Sequence, residues 1–132
     1  MLLVYTSLTF LSVPVHAIFA KEMVIYTLVP VLTGASIVTH AGWNYSFVGK
    51  RTVHAIDKVL AHFLYFYVVA QVTYAPSLAT IPVYVTFLWV CYLYYFTQLC
   101  WLAGGAWKPW HATVHAGGVL ACHSYLLTKS LK

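Results

Sequence analysis

The stretch LATIPVYVTFLWVCYLYYFTQLCWLA, Leu78 to Ala103, carries no charged residue. A helix needs roughly 20 consecutive apolar residues to cross the hydrocarbon of a bilayer, and this run supplies them. Its apolar residues are continuous rather than alternating, which argues against a strand of a β-barrel. Four further segments of the same kind flank it: Leu2 to Ala20, ended by Lys21-Glu22; Met23 to about Trp43; about Thr52 to Thr73; and Pro109 to about Leu127. The expected fold is an all-α integral membrane protein, multi-pass, in which residues 1–132 form a single bundle of about five transmembrane helices.

The boundaries have local causes. Gly42 and the polar stretch Asn44 to Arg51 end the second helix, and Tyr74-Ala75-Pro76-Ser77 separates the third from the fourth. Gly104-Gly105 stops the fourth, and Pro109 suits the first position of the fifth, where its missing N–H costs nothing. Pro14 and Pro30 fall inside helices, so kinks are expected there. Val15-His16-Ala17 resembles a signal-peptide cleavage site, but no positive region precedes Leu2 and the apolar run is long, so a retained first helix is expected.

Composition agrees. The chain is 62% hydrophobic, 17% aromatic and 7% charged, against about 25% charged residues in a soluble domain, so lipid has to be its solvent. The net charge of +5 comes from scattered residues that form no basic stripe, which sets nucleic acid aside as a partner. Membrane lipids, a lipid substrate and further chains in a homo- or hetero-oligomer are the expected partners. Cys91, Cys100 and Cys122 lie in apolar runs without a C-x-x-C spacing and read as buried, inert thiols. The aromatic run Tyr92 to Trp101 reads as a lipid- or partner-facing surface.

Simple alternation of five helices places the ionisable residues. If side A is the face of the N-terminus, then His40 lies near the A end of the second helix, Asp57 one to two turns into the third, and His111 and His115 in the first turns of the fifth. Ser36 is one turn deeper than His40. Lys50, Arg51, Lys58 and Lys108 fall on side A and Lys21, Lys129 and Lys132 on side B, which leaves orientation, and the identity of the membrane, open. Asn44-Tyr45-Ser46 is a formal glycosylation sequon on side A, too close to the membrane to expect its use.

An ionisable group inside a membrane is costly and marks function by default. His111 and His115 are four apart, on one helical face, and make a two-nitrogen clamp to which His40 adds a third. Three protein ligands with an open position is the pattern of catalytic zinc. Asp57 is then placed to take a proton from water or to hold a histidine, and Ser36 to donate toward a developing oxyanion. Each motif alone also has a plainer reading, as a packed serine, a carboxylate paired with lysine, or histidines hydrogen-bonded in a core.

The motifs SIVTH, HAIDKVLAH and WHATVHAGG resemble, in order and helix position, those of the membrane hydrolase superfamily of alkaline ceramidases and progestin/adiponectin receptors. The resemblance covers about a fifth of the chain. It implies Zn2+ held by His40, His111 and His115, with Asp57 and Ser36 around the water, and hydrolysis of a lipid amide such as a ceramide by attack of zinc-bound water. Those relatives have seven helices, so this chain is a shortened form.

The remaining histidines keep other functions open. His54 reads as an interfacial or proton-shuttling group, and His16, His62 and His123 as buried hydrogen-bonded groups. A haem b between helices, held by His62 with His115 or His123, makes the chain a membrane anchor or electron-transfer subunit. A third class is a structural subunit of a membrane complex, its aromatic residues serving as interfacial belts.

Overall fold

The second span, Met23–Ala41, shows how the sequence becomes a bundle. Ile25, Val29, Leu32, Thr33 and Ser36 are buried at steps of three and four residues, so one stripe of this helix faces inward while the rest faces out. The same stripe continues to His40, four residues beyond Ser36.

The computed structural model describes residues 1–41 and 50–131. The helices are α1 (Leu2–Leu8), α2 (Ser12–Phe19), α3 (Met23–Ala41), α4 (Lys50–Tyr74), α5 (Ile81–Leu102) and α6 (Trp107–Ser130), with no strand among the described residues. α1 and α2 are one span, Leu2–Phe19, tightened by a 3₁₀ turn over Thr9–Leu11. Pro14 lies just past that turn, which accounts for the tightening, since its ring displaces the carbonyl of Phe10 and removes one N–H donor. Pro30, by contrast, is accommodated inside a continuous α3. Asn44-Tyr45-Ser46, and the end of the second span at Gly42 and Trp43, lie outside the described residues.

The protein is an all-α membrane bundle, and four of its spans are long and apolar enough to cross a bilayer: Leu2–Phe19, Met23–Ala41, Thr52–Tyr74 and Leu78–Leu102. α6 is long enough but less apolar, because it carries His111, His115 and His123 and a lysine near each end. It packs against α5, α1, α2 and α4. Polar side chains in a membrane face the bundle interior, and here the neighbours of α6 shield them.

Within lipid, close packing rather than the hydrophobic effect brings helices together, so small residues mark the contacts. A Cβ on Gly117 would sit 2.8 Å from Val90 of α5, and one on Gly118 3.0 Å from Phe10. The other side of α5 looks outward, with Trp89, Tyr92, Tyr95 and Trp101 exposed. Of the three free cysteines only Cys122 is buried. Cys91 is exposed and touches the Tyr65 hydroxyl at 2.6 Å, and Cys100 is half-buried, so the expectation of three buried thiols holds for Cys122 alone.

Two turns share one geometry. α5 ends with Gly104 at φ 68, and the Gly105 N–H bonds back to the Cys100 carbonyl at 2.8 Å. α2 ends the same way with Lys21 at φ 55, and the Glu22 N–H bonds to the Ala17 carbonyl at 2.9 Å. This is the left-handed helix stop that glycine usually serves. α6 begins at Trp107, two residues before Pro109, so that proline is third in the helix rather than first. It still lies in the first turn, where backbone N–H groups have no partner within the helix.

The turn at Lys21 delivers Glu22 into the bundle. Its carboxylate accepts hydrogen bonds from Tyr67 of α4 at 2.7 Å and Tyr125 of α6 at 2.8 Å, and pairs with Lys129 at 3.5 Å. Burial pushes the pKa of Glu22 up, but the two phenols and the lysine charge outweigh it and hold the group below its ordinary value of 4.5. One carboxylate thus ties the α2–α3 turn to α4 and α6 at side B.

Candidate metal centre

His40 ends the inward stripe of α3, and His111 and His115 share a face of α6. The three imidazoles meet in a near-equilateral triangle. Ring centroids are 5.3 Å apart for His40–His111, 5.3 Å for His40–His115 and 4.9 Å for His111–His115. One nitrogen from each falls in a group whose members all lie within 4.8 Å of one another. Three ligands around one first-row ion at about 2.0–2.1 Å stand closer than that, roughly 3.3 Å apart, so small side-chain rotations suffice.

Two of the ring nitrogens lack a hydrogen-bond partner among the described residues. His40 Nε2 and His111 Nδ1 are buried with no hydrogen-bond partner among the described residues. Buried polar atoms left unpaired cost free energy and call for an explanation. A cation accepted at that point satisfies both lone pairs. For His115 the answer comes from its other nitrogen: Nδ1 lies 2.9 Å from the Thr6 hydroxyl. Thr6 Oγ1 already donates to the carbonyls of Leu2 and Leu3, at 3.3 and 3.2 Å. With the hydroxyl proton shared between those carbonyls, its lone pairs can accept from His115 Nδ1–H, the tautomer that leaves Nε2 bare for a metal. A ligating histidine whose far N–H is anchored in this way is the usual arrangement at metal sites. The residues present therefore fit a borderline divalent ion such as Zn2+.

Ser36 is in this network but one step removed. Ser7 Oγ donates to the Leu3 carbonyl at 2.7 Å, which leaves it to accept from Ser36 Oγ at 2.9 Å. Ser7 Oγ also lies 3.5 Å from His115 Nδ1. The Ser36–Ser7 contact braces α3 against α1. Phe10 closes the floor, edge-on to His115 at 6.2 Å, and Trp107 flanks His111 at 5.8 Å.

Asp57 is half-buried in α4 and is not one of the converging ligand group. Its charge is felt by Lys58 and by Tyr94 of α5. His54 and Lys58 lie within electrostatic reach of His111, so the first turns of α4 border the triad on its side-A flank. His62 is on the exposed side of α4, with Nδ1 2.6 Å from the Lys58 carbonyl and its ring edge-on to Tyr94 at 6.0 Å. His16 and His123 contact each other, with Nδ1 atoms 2.9 Å apart.

Thr6 and Ser7 escaped the sequence reading, and so did Thr39, whose Oγ1 is also buried without a partner among the described residues at the same end of α3. The only signal of Thr6 and Ser7 is an adjacent pair of hydroxyls in a mostly apolar N-terminal run, which is also common in plain membrane helices. The chain matches no protein-family model, no curated protein and no solved structure.

Proposed function

We propose that this chain is a multi-pass membrane hydrolase that uses Zn2+ to cleave a lipid amide of the ceramide kind. The observation that carries this reading is the triangle of imidazoles with two buried, unpartnered nitrogens. His40, His111 and His115 would hold the ion. When bound, it would supply a Lewis acid that polarises a carbonyl and acidifies water. Three protein donors leave a coordination position for chemistry, whereas closed structural sites use four.

The chain's own residues do the rest. Thr6 orients His115 through Nδ1, and Ser7 with Ser36 locks α1 and α3 so that the triad keeps its spacing. Asp57 stands outside the ligand group, and its part is to accept a proton from water and hand it to the leaving amine. Phe10 and the apolar stripe below it keep bulk water from the inner side of the site. The triad lies near the side-A end of α3 and α6. The haem reading, which pairs His62 with His115 or His123, is disfavoured because His62 lies on the exposed side of α4 with Nδ1 against the Lys58 carbonyl, while His115 belongs to the triad.

Metal and haem content of the detergent-purified protein, with an optical spectrum of the same sample, tests the reading. About one zinc per chain at the triad without a Soret band supports it, and release of fatty acid from a short-chain ceramide completes the case. A Soret band with iron, or a triad that takes up no zinc when it is offered, overturns it.

A further inference from the structure

We propose that His16 and His123 form a second site for a borderline divalent metal ion, toward side B of the bundle and separate from the three-histidine cluster. His123 lies two turns beyond His115 on α6, and His16 is in the last turn of α2. Their rings lie side by side and nearly parallel, with centroids 5.2 Å apart and an interplanar angle of 22°, and the two Nδ1 atoms are 2.9 Å apart.

The proton positions follow from the neighbours. Ser12 Oγ donates to the Thr9 carbonyl at 2.8 Å, so its lone pairs remain for His123 Nε2 at 2.9 Å. His123 therefore carries its proton on Nε2 and presents a bare Nδ1. That is the same far-nitrogen anchoring found for His115 and Thr6, and it leaves a ring fixed in orientation with one lone pair ready for a metal. The lone pair points at His16 Nδ1. Without an ion, His16 fills it by donating its own Nδ1–H.

Coordination asks for a proton shift and a modest turn of both rings. His16 moves its proton from Nδ1 to Nε2, so a neutral pair binds the ion with no net proton release. Two imidazole nitrogens on one tetrahedral ion at about 2.0–2.1 Å stand roughly 3.3 Å apart, so the pair opens by a few tenths of an ångström and each ring turns by roughly 35° to bring both lone pairs onto the ion. Both rings are half-exposed, so water fills the remaining positions. Two further donors nearby are already engaged or turned away. The Glu22 carboxylate is taken by Tyr67, Tyr125 and Lys129. Cys122 is buried on a different face of α6, about 100° from His123. An all-imidazole donor set with open positions suits the zinc, nickel and copper(II) class.

The test uses the full chain in detergent with both triad residues of α6 replaced, His111→Ala with His115→Ala, so that the outcome does not depend on the triad. Zinc is titrated calorimetrically, and thermal unfolding is followed with and without it. One zinc per chain and a zinc-induced rise in melting temperature are expected. Adding His123→Gln or His16→Asn, which keep polar volume, abolishes both effects, and Ser12→Ala weakens binding about 10- to 100-fold. The proposal fails if the triad-free chain takes up no zinc, or if its uptake survives both histidine replacements.

Discussion

Replacing Glu22 by glutamine tests the clamp that the structure builds at side B. Two phenols donate to this carboxylate, at 2.7 Å from Tyr67 and 2.8 Å from Tyr125. A hydrogen bond to a charged group contributes about 1.5–3 kcal/mol, against about 0.5–1.5 for a neutral one. Glutamine keeps one accepting oxygen and turns an N–H toward the other phenol. Tyr125 is only 1% exposed, so its hydroxyl finds no water in exchange. The ion pair with Lys129 adds little, about 1 kcal/mol at most, because the lysine is 33% exposed. The expected loss is roughly 2–4 kcal/mol, or on the order of 10 °C in melting temperature.

Acidity gives the same test a second arm. Glu22 has a folded pKa below its ordinary value of 4.5, so on acidification the unfolded chain takes up this proton first. The stabilisation from Glu22 is complete above the ordinary value and is lost as pH falls through the lower, folded one. Glutamine does not titrate. Circular dichroism melts of both proteins in mild detergent should therefore differ by a constant gap from pH 7 to about 5. The gap then closes below 4.5. Equal melting temperatures at pH 7, or a gap undiminished at pH 3, would refute the clamp.

Thr6→Val removes the acceptor for His115 Nδ1–H while keeping the shape, and zinc affinity in a competitive titration should fall about 10- to 100-fold, with Thr6→Ser restoring most of it. His115→Ala should abolish zinc binding at the triad, whereas Asp57→Asn should leave the metal in place and remove ceramide hydrolysis; elemental analysis and a product assay read the two separately. Lys21→Gly should raise stability by about 1 kcal/mol, since Lys21 holds φ 55, and Gly104→Ala at φ 68 should lower it by a similar amount. Gly117→Ala should destabilise by about 1–3 kcal/mol, because the new Cβ meets the stiff side chain of Val90 at 2.8 Å, a cost that the better helix propensity of alanine only partly offsets. Thermal melts of the glycine and lysine variants check both signs.

The parts of this molecule that were legible in the sequence are those set by one helix at a time. Continuous apolar runs gave the spans, and steps of four residues put Ser36 with His40 and His111 with His115 on common faces. Alternation of spans then brought α3 and the start of α6 to one side. What stayed hidden depends on how far each helix is rotated about its own axis. In a soluble helix the polar face reveals that angle, but α1 and α2 are apolar nearly all round, so no periodicity says that Thr6, Ser7, Ser12 and His16 share the side facing α6. The contacts that fix it join residues more than a hundred positions apart, beside the close packing at Gly117 and Gly118.

The same reasoning explains Asp57 and Glu22, the two acidic residues of the chain. Position along the spans put Asp57 at the depth of the triad and gave it the chemical role, yet depth is only one of two coordinates. The rotation of α4 leaves its carboxylate outside the ligand group, which restricts it to proton transfer in the proposed reaction. Glu22 read as a charge ending the first span. The left-handed turn at Lys21 folds it inward instead, onto two tyrosines that periodicity alone had no reason to pair with it. A carboxylate near a membrane boundary is thus placed by the backbone turn beside it as much as by its distance along the helix. The turn at Lys21 therefore carries a structural demand that the apolar runs around it do not record.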